Sequence, residues 1–107
     1  MSDFVDYRER VGSNADKQFK ATLFQSGRLM LGLNCLEPGQ SQPAHTHADQ
    51  DKFYFVAEGA GEFVVGDETR HAGQGTVVWA PAGVTHGVTN TGSERLVLLV
   101  GIAPWPS

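Results

Sequence analysis

Cysteine is almost absent: Cys35 stands alone among 107 residues, which excludes an internal disulfide and any paired-cysteine metal knuckle. Basic residues are sparse and scattered. Eight lysines and arginines face twelve acidic residues, giving a net charge of −4, and no two basic residues are adjacent. A nucleic-acid partner needs a basic stripe to neutralise phosphates, so that class of function is disfavoured. Long apolar runs are also missing. The longest, Leu96–Ala103, is interrupted by Gly101 and falls far short of the roughly 20 residues of a membrane helix. Residues Met1–Arg8 mix acidic and apolar types and carry no signal-peptide core. The expectation is a soluble cytoplasmic protein without nucleic-acid or membrane partners.

Glycine is plentiful, and its placement is informative. Thirteen glycines recur about every ten residues, the turn spacing of an all-β sandwich or barrel. The stretches between them are rich in Val, Phe, Thr, Tyr and Trp, which pack well on a pleated surface. Strands are expected at 18–25, 28–36, 52–57, 62–65, 76–80, 85–89 and 94–101. Gly66-Asp67 fits a two-residue hairpin loop, and residues 4–10 offer a single helical turn. With 40% hydrophobic and 19% charged residues, one domain spanning 1–107 is expected.

His45 and His47 stand two apart, after Pro43. On a strand, residues i and i+2 share a face about 7 Å apart, so both imidazoles can converge on one ion at about 2.0–2.1 Å for zinc. His86 follows a Pro81-Ala82-Gly83 segment. Ala80–Gly83 suits a type I turn, with proline second and glycine fourth. In a closed barrel the third imidazole reaches the first two. Each element alone is weak, since a lone His-x-His is more often two solvent-facing residues.

The surrounding residues add specificity. Gly39, His45, His47 and Gly59 resemble the first signature motif of the cupin superfamily. Gly75, Pro81, Gly83, His86 and Asn90 resemble the second at all five positions. The motifs cover 39–59 and 75–90. This resemblance implies a cupin jelly-roll β-barrel, the double-stranded β-helix, with a divalent transition metal held by the three histidines. Zinc, nickel, copper, iron and manganese are all compatible with that donor set. Asn90 reads either as a bond across strands or as a turn residue.

The chain departs from the cupin pattern at Lys52, where the motif usually places a glutamate ligand. A protonated ammonium about 4 Å from a divalent cation is repelled by several kcal/mol. Three outcomes follow: three histidines alone with water or substrate, a substitute ligand nearby, or no metal. Among substitutes Gln50 shares strand parity with Lys52 and is preferred to Asp51. A three-histidine ion retains its positive charge and favours a small anionic, oxygen-bearing ligand. Lys52 and Tyr54 are candidate acid, base or substrate-clamping residues.

Other residues are assigned structural places. His71 reads as surface and Cys35 as core. Phe53, Phe55, Phe63, Trp79 and Tyr54 read as core and pocket wall, with Asn34 and Gln25 as candidate polar exceptions. Trp105 reads as a plug or dimer contact. Strands apolar on both parities, such as 53–57, suggest a homodimer. Functionally, the resemblance implies a metal-dependent enzyme of the dioxygenase, isomerase or decarboxylase kind. A non-catalytic sensing module and a cupin with a vestigial site are the alternatives.

Overall fold

The computed structural model describes residues 2–106. Among these, nine strands form: β1 (Phe19–Gln25), β2 (Met30–Leu36), β3 (Ser41–His45), β4 (Asp51–Glu58), β5 (Ala60–Val65), β6 (Glu68–Gly73), β7 (Val77–Ala80), β8 (His86–Thr89) and β9 (Leu96–Ala103). A short 3-10 turn at Tyr7–Glu9 is the only helical element among them. Among the described residues no helix is long and apolar enough to cross a membrane. Each of the expected stretches is a strand, with ends displaced by no more than two residues.

The strands pair antiparallel in two sheets. One has five strands in the order β1-β2-β9-β4-β7, the other four in the order β3-β8-β5-β6. This is the expected double-stranded β-helix, but the expected closed barrel is corrected to two open sheets. Among the described residues no ladder joins β6 to β7 or β1 to β3. The turn after β6 explains one of the open seams. Gly75, at φ 92°, donates to the Val56 carbonyl, and the Val56 amide donates to Thr76. The chain is thereby delivered onto β4, in the other sheet, instead of folding back along β6.

The inner faces share one apolar core. Leu36, Tyr54, Val56, Leu98 and Val100 come from the five-stranded sheet, and Phe63, Ala72 and Val88 from the other. Alternation sets this: on β4, Lys52, Tyr54 and Val56 are buried while Phe53 and Phe55 are half-exposed on the outer face. At one end of that outer face, Leu33, Cys35, Ala57 and Val97 are buried beneath Tyr7 and Val11 of the N-terminal segment. The Tyr7 hydroxyl donates to Glu58 Oε2 at 3.0 Å. Thus the doubly apolar β4 is covered partly by the chain itself.

Trp79 corrects another expectation. It pairs with Phe53 on the outer face and is 56% exposed, beside Val77 at 64%. Its neighbours Val78 and Ala80 turn inward instead, so parity decides against the larger side chain. The Gly66-Asp67 hairpin is as expected, with Val65 opposite Glu68 and Gly66 at φ 59°. His71 is exposed and Cys35 fully buried.

Candidate metal centre

Strands β3 and β8 bring His45 directly opposite His86. Their ring centroids lie 4.5 Å apart; His47 lies 4.7 Å from His45 and 5.6 Å from His86. One ring nitrogen from each falls within 4.8 Å of the others. The route to this convergence differs from the simple i/i+2 strand pair. β3 ends at His45, and His47 lies in the following loop.

That loop is fastened to the segment leading into β8. The Gly83 amide donates to the His47 carbonyl at 2.8 Å. Thr46 and Thr85 hydroxyls lie 2.8 Å apart, and the Ala82 amide donates to Asp51 Oδ1 at 2.9 Å. The turn here spans Pro81–Val84, closed by the Val84 amide on the Pro81 carbonyl. Gly83 occupies its third position at φ 81°, the requirement of a type II turn. The expected type I turn one residue earlier is therefore corrected. Asp51 is exposed and engaged with this turn, facing away from the imidazoles' side of β4.

The imidazoles fit a metal by their hydrogen bonding. His45 Nδ1 lies 2.8 Å from the Pro43 carbonyl and His86 Nδ1 3.2 Å from the Val84 carbonyl. A carbonyl only accepts, so each Nδ1 carries the proton and each Nε2 presents a lone pair. His86 Nε2 is buried without a hydrogen-bond partner, an orphan that a metal ion would satisfy. Burial pushes the His86 imidazole down to about 4, with a bond to Val84 opposing and Lys52 adding to the shift. Burial also lowers His47, with the charges of His45 and Lys52 next. Neutral imidazoles are the ligating form, and the donor set suits a divalent transition metal.

Around this cluster, a residue not singled out in the sequence emerges. Gln42 is buried on β3, and its Oε1 accepts from both Lys52 Nζ, at 3.3 Å, and the Tyr54 hydroxyl. Gln42 and His45 are three positions apart, yet their partners Val88 and His86 are two apart. Pro43 and Ala44 therefore form a bulge opposite Gly87. Proline is tolerated there because a bulge leaves an amide unpaired. The Pro43 following a polar residue was the available signal. A side chain at Gly87 would meet the Ala44 backbone and the Gln42 carbonyl at 2.9 Å, so glycine is what lets the bulge approach.

A cavity of about 640 Å³ opens beside the histidines, with Gln42, Gln50, Lys52, Asn34 and Trp105 on its wall. Lys52 is 4% exposed, lies 4.7 Å from the Tyr54 ring centre, and is lowered to about 8 by burial and then by the charge of Lys20. Tyr54 is fully buried, and desolvation raises its hydroxyl well above the usual range. It reaches the cavity through Gln42. Gln50 is buried on the same parity as Lys52, and its Nε2 donates to the Pro104 carbonyl at 3.1 Å, so its Oε1 is the side-chain atom left for a cation. Asn34 is a polar wall residue, whereas Gln25 is exposed. Trp105 lines the cavity and is tied by its amide to the Arg28 carbonyl at 3.1 Å. Asn90 ends β8 by donating to the Leu36 and Glu94 carbonyls, both at 2.8 Å.

Comparison with known proteins agrees with this architecture. The structure of TT1209 from Thermus thermophilus is similar over 96% of this chain and 98% of that one, with TM-score 0.93 and 37% identity. A Klebsiella pneumoniae protein with a double-stranded β-helix domain is similar over 99% and 93% of the two chains, with TM-score 0.92 and 21% identity, a likeness of fold. The protein SCO3923 of Streptomyces coelicolor is 37% identical over 76 residues, 71% of each chain. The family model for the cupin domain, Cupin_2, matches residues 32–102, and the chain belongs to that family.

Proposed function

We propose that this cupin binds one divalent transition metal through His45, His47 and His86, with Gln50 Oε1 as a fourth donor, and acts as a metal-dependent enzyme on a small anionic, oxygen-bearing substrate. The observation that carries the reading is the convergence of three imidazole nitrogens within 4.8 Å, one of them buried and without a partner. When bound, the ion supplies Lewis acidity toward an oxygen of the substrate. The chain's own residues do the rest. Pro43 and Val84 carbonyls hold two imidazoles in the ligating tautomer. Lys52 is positioned to clamp the anionic group of the substrate, and the protonated Tyr54 holds Gln42 as its support. The apolar side of the cavity, with Val100 and Ile102, limits water.

Elemental analysis of protein purified without chelator or affinity tag tests the first half of this reading. A stoichiometric transition metal is expected, lost in the His47→Ala protein. Screening of small carboxylates with metal-loaded protein tests the second. Substrate turnover as fast in the metal-stripped protein as in the loaded one would defeat it.

One observation favours a binding module without turnover: no Asp or Glu lines the cavity among the described residues, so no carboxylate base stands ready. Thermal stabilisation by a carboxylate without product on long incubation distinguishes this case. We read the assembly as a homodimer, supported by the exposed Val77 and Trp79 on the outer sheet face.

A further inference from the structure

Lys52 is a buried cation without a counterion. It is 4% exposed, and among the described residues no ion pair reaches it. Its hydrogen bond, to the neutral Gln42 Oε1 at 3.3 Å, is long. An ammonium carries three donors, so two remain for the cavity. A buried charge without a partner costs several kcal/mol, and that cost falls when an anion arrives.

The neighbourhood points the same way. Among the described residues the cavity wall holds two lysines, Lys20 and Lys52, and no acidic side chain, although the chain carries twelve acidic residues and is net negative. A cationic recess in an acidic protein concentrates small anions. Two of the three imidazoles, His45 and His47, share that wall, and Tyr54, whose ring Lys52 overlies, lies 6.2 Å from the His86 ring. A divalent ion at the histidines and an ammonium at Lys52 therefore oppose one another within one low-dielectric recess.

Resting on the metal-binding reading above, we propose that Lys52 makes this an anion-dependent metal site, in which a carboxylate ligand and the metal ion each tighten the binding of the other. The carboxylate occupies the recess, accepts from the Lys52 ammonium and offsets the charge of both cations. Metal affinity without the anion is correspondingly weak. The coupling is reciprocal by linkage, and about fivefold to 150-fold is the ordinary range, about 1–3 kcal/mol. Lys52 thus selects for ligands bearing a carboxylate, a role the glutamate usual at this position cannot fill.

The test is zinc affinity of metal-free protein, read by competition with a chromophoric chelator, with and without acetate, and with malonate as a longer probe. In wild type, at least one of the two carboxylates is expected to tighten zinc about tenfold or more. In Lys52→Met that factor falls to near one, while zinc binding without carboxylate strengthens. Lys52→Arg retains the dependence, and Lys52→Glu binds zinc most tightly and ignores both anions. Thermal melts confirm that each variant is folded. Zinc binding that is equal with and without carboxylate in wild type overturns the proposal and leaves the metal reading standing. Failure of wild type to bind zinc under any of these conditions overturns both.

Discussion

Lys52 and Gln42 illustrate how one polar contact inside an apolar sandwich governs both stability and chemistry. The Lys52 ammonium, lowered to about 8 from an ordinary 10.5 by burial and by Lys20, binds its proton less tightly when folded than when unfolded. Between about pH 8 and 10.5 the unfolded chain carries the proton and the folded one does not, so stability rises with pH across that window. Below pH 8 both states are charged and the full cost, about 3–4 kcal/mol, is present. Metal-free Lys52→Met is therefore expected to exceed wild type in urea denaturation by about that amount at roughly pH 7. The gap narrows as pH rises through 8 and nearly closes by 10.5; a gap that does not change with pH would refute the assignment. Gln42→Leu has the opposite sign. It strips the acceptor from the Tyr54 hydroxyl and from Lys52 at once, and a loss of about 2–4 kcal/mol is expected from two stranded buried donors. The histidines and the Lys52 anomaly were legible in the sequence because fixed motif spacing identifies them. Gln42 was not, because its inward aim depends on a bulge that shifts parity between residues 42 and 45.

At the scale of elements, two glycines near the site separate steric from conformational constraint. Gly83 has open space where a Cβ would stand but a φ of 81°; Gly87 has crowding from β3 and no unusual φ. Gly83→Ala should thus cost about 1–2 kcal/mol, the strain of a left-handed residue. Its zinc affinity should fall as well, because the Gly83 amide holds the His47 loop. Gly87→Ala must push the bulge outward, with an expected cost of about 1–3 kcal/mol and a displaced His45. Denaturation midpoints and zinc titrations of the two proteins check this, and wild-type zinc affinity in Gly87→Ala would show that the bulge is not needed for the site. Strands such as β4 and β9 were legible because their apolar content exceeds that of a surface segment. β6 was not. Its Glu68-Thr69-Arg70-His71 run is exposed, so only pairing with β5 holds it as a strand, and pairing leaves no apolar pattern. Closure failed to be legible for a related reason: whether edge strands join is decided by turn geometry at Gly75, not by composition.

For the molecule as a whole, the distribution of apolar surface bears on assembly. One end of the outer sheet face is capped by Tyr7 and Val11, with Phe55 packed in the same cluster; the other presents Val77, Trp79 and the half-exposed Phe53. An exposed contiguous apolar patch on a small domain marks an interaction surface, and aromatic residues at its centre are the usual anchors of such contacts. A second copy meeting this patch across a two-fold axis would bring each Trp79 against the other's sheet and remove both from water. Wild-type protein is accordingly expected to sediment at twice the chain mass at micromolar concentration. Trp79→Glu places a charge at the centre of that contact and should yield monomer. Because Trp79 points away from the cavity, on the face opposite Lys52 and Tyr54, zinc affinity of the monomeric variant should stay within about twofold of wild type. A wild type that sediments as monomer removes the interface, and a Trp79→Glu monomer that loses zinc would mean instead that assembly shapes the recess, coupling the two faces of one sheet through β4.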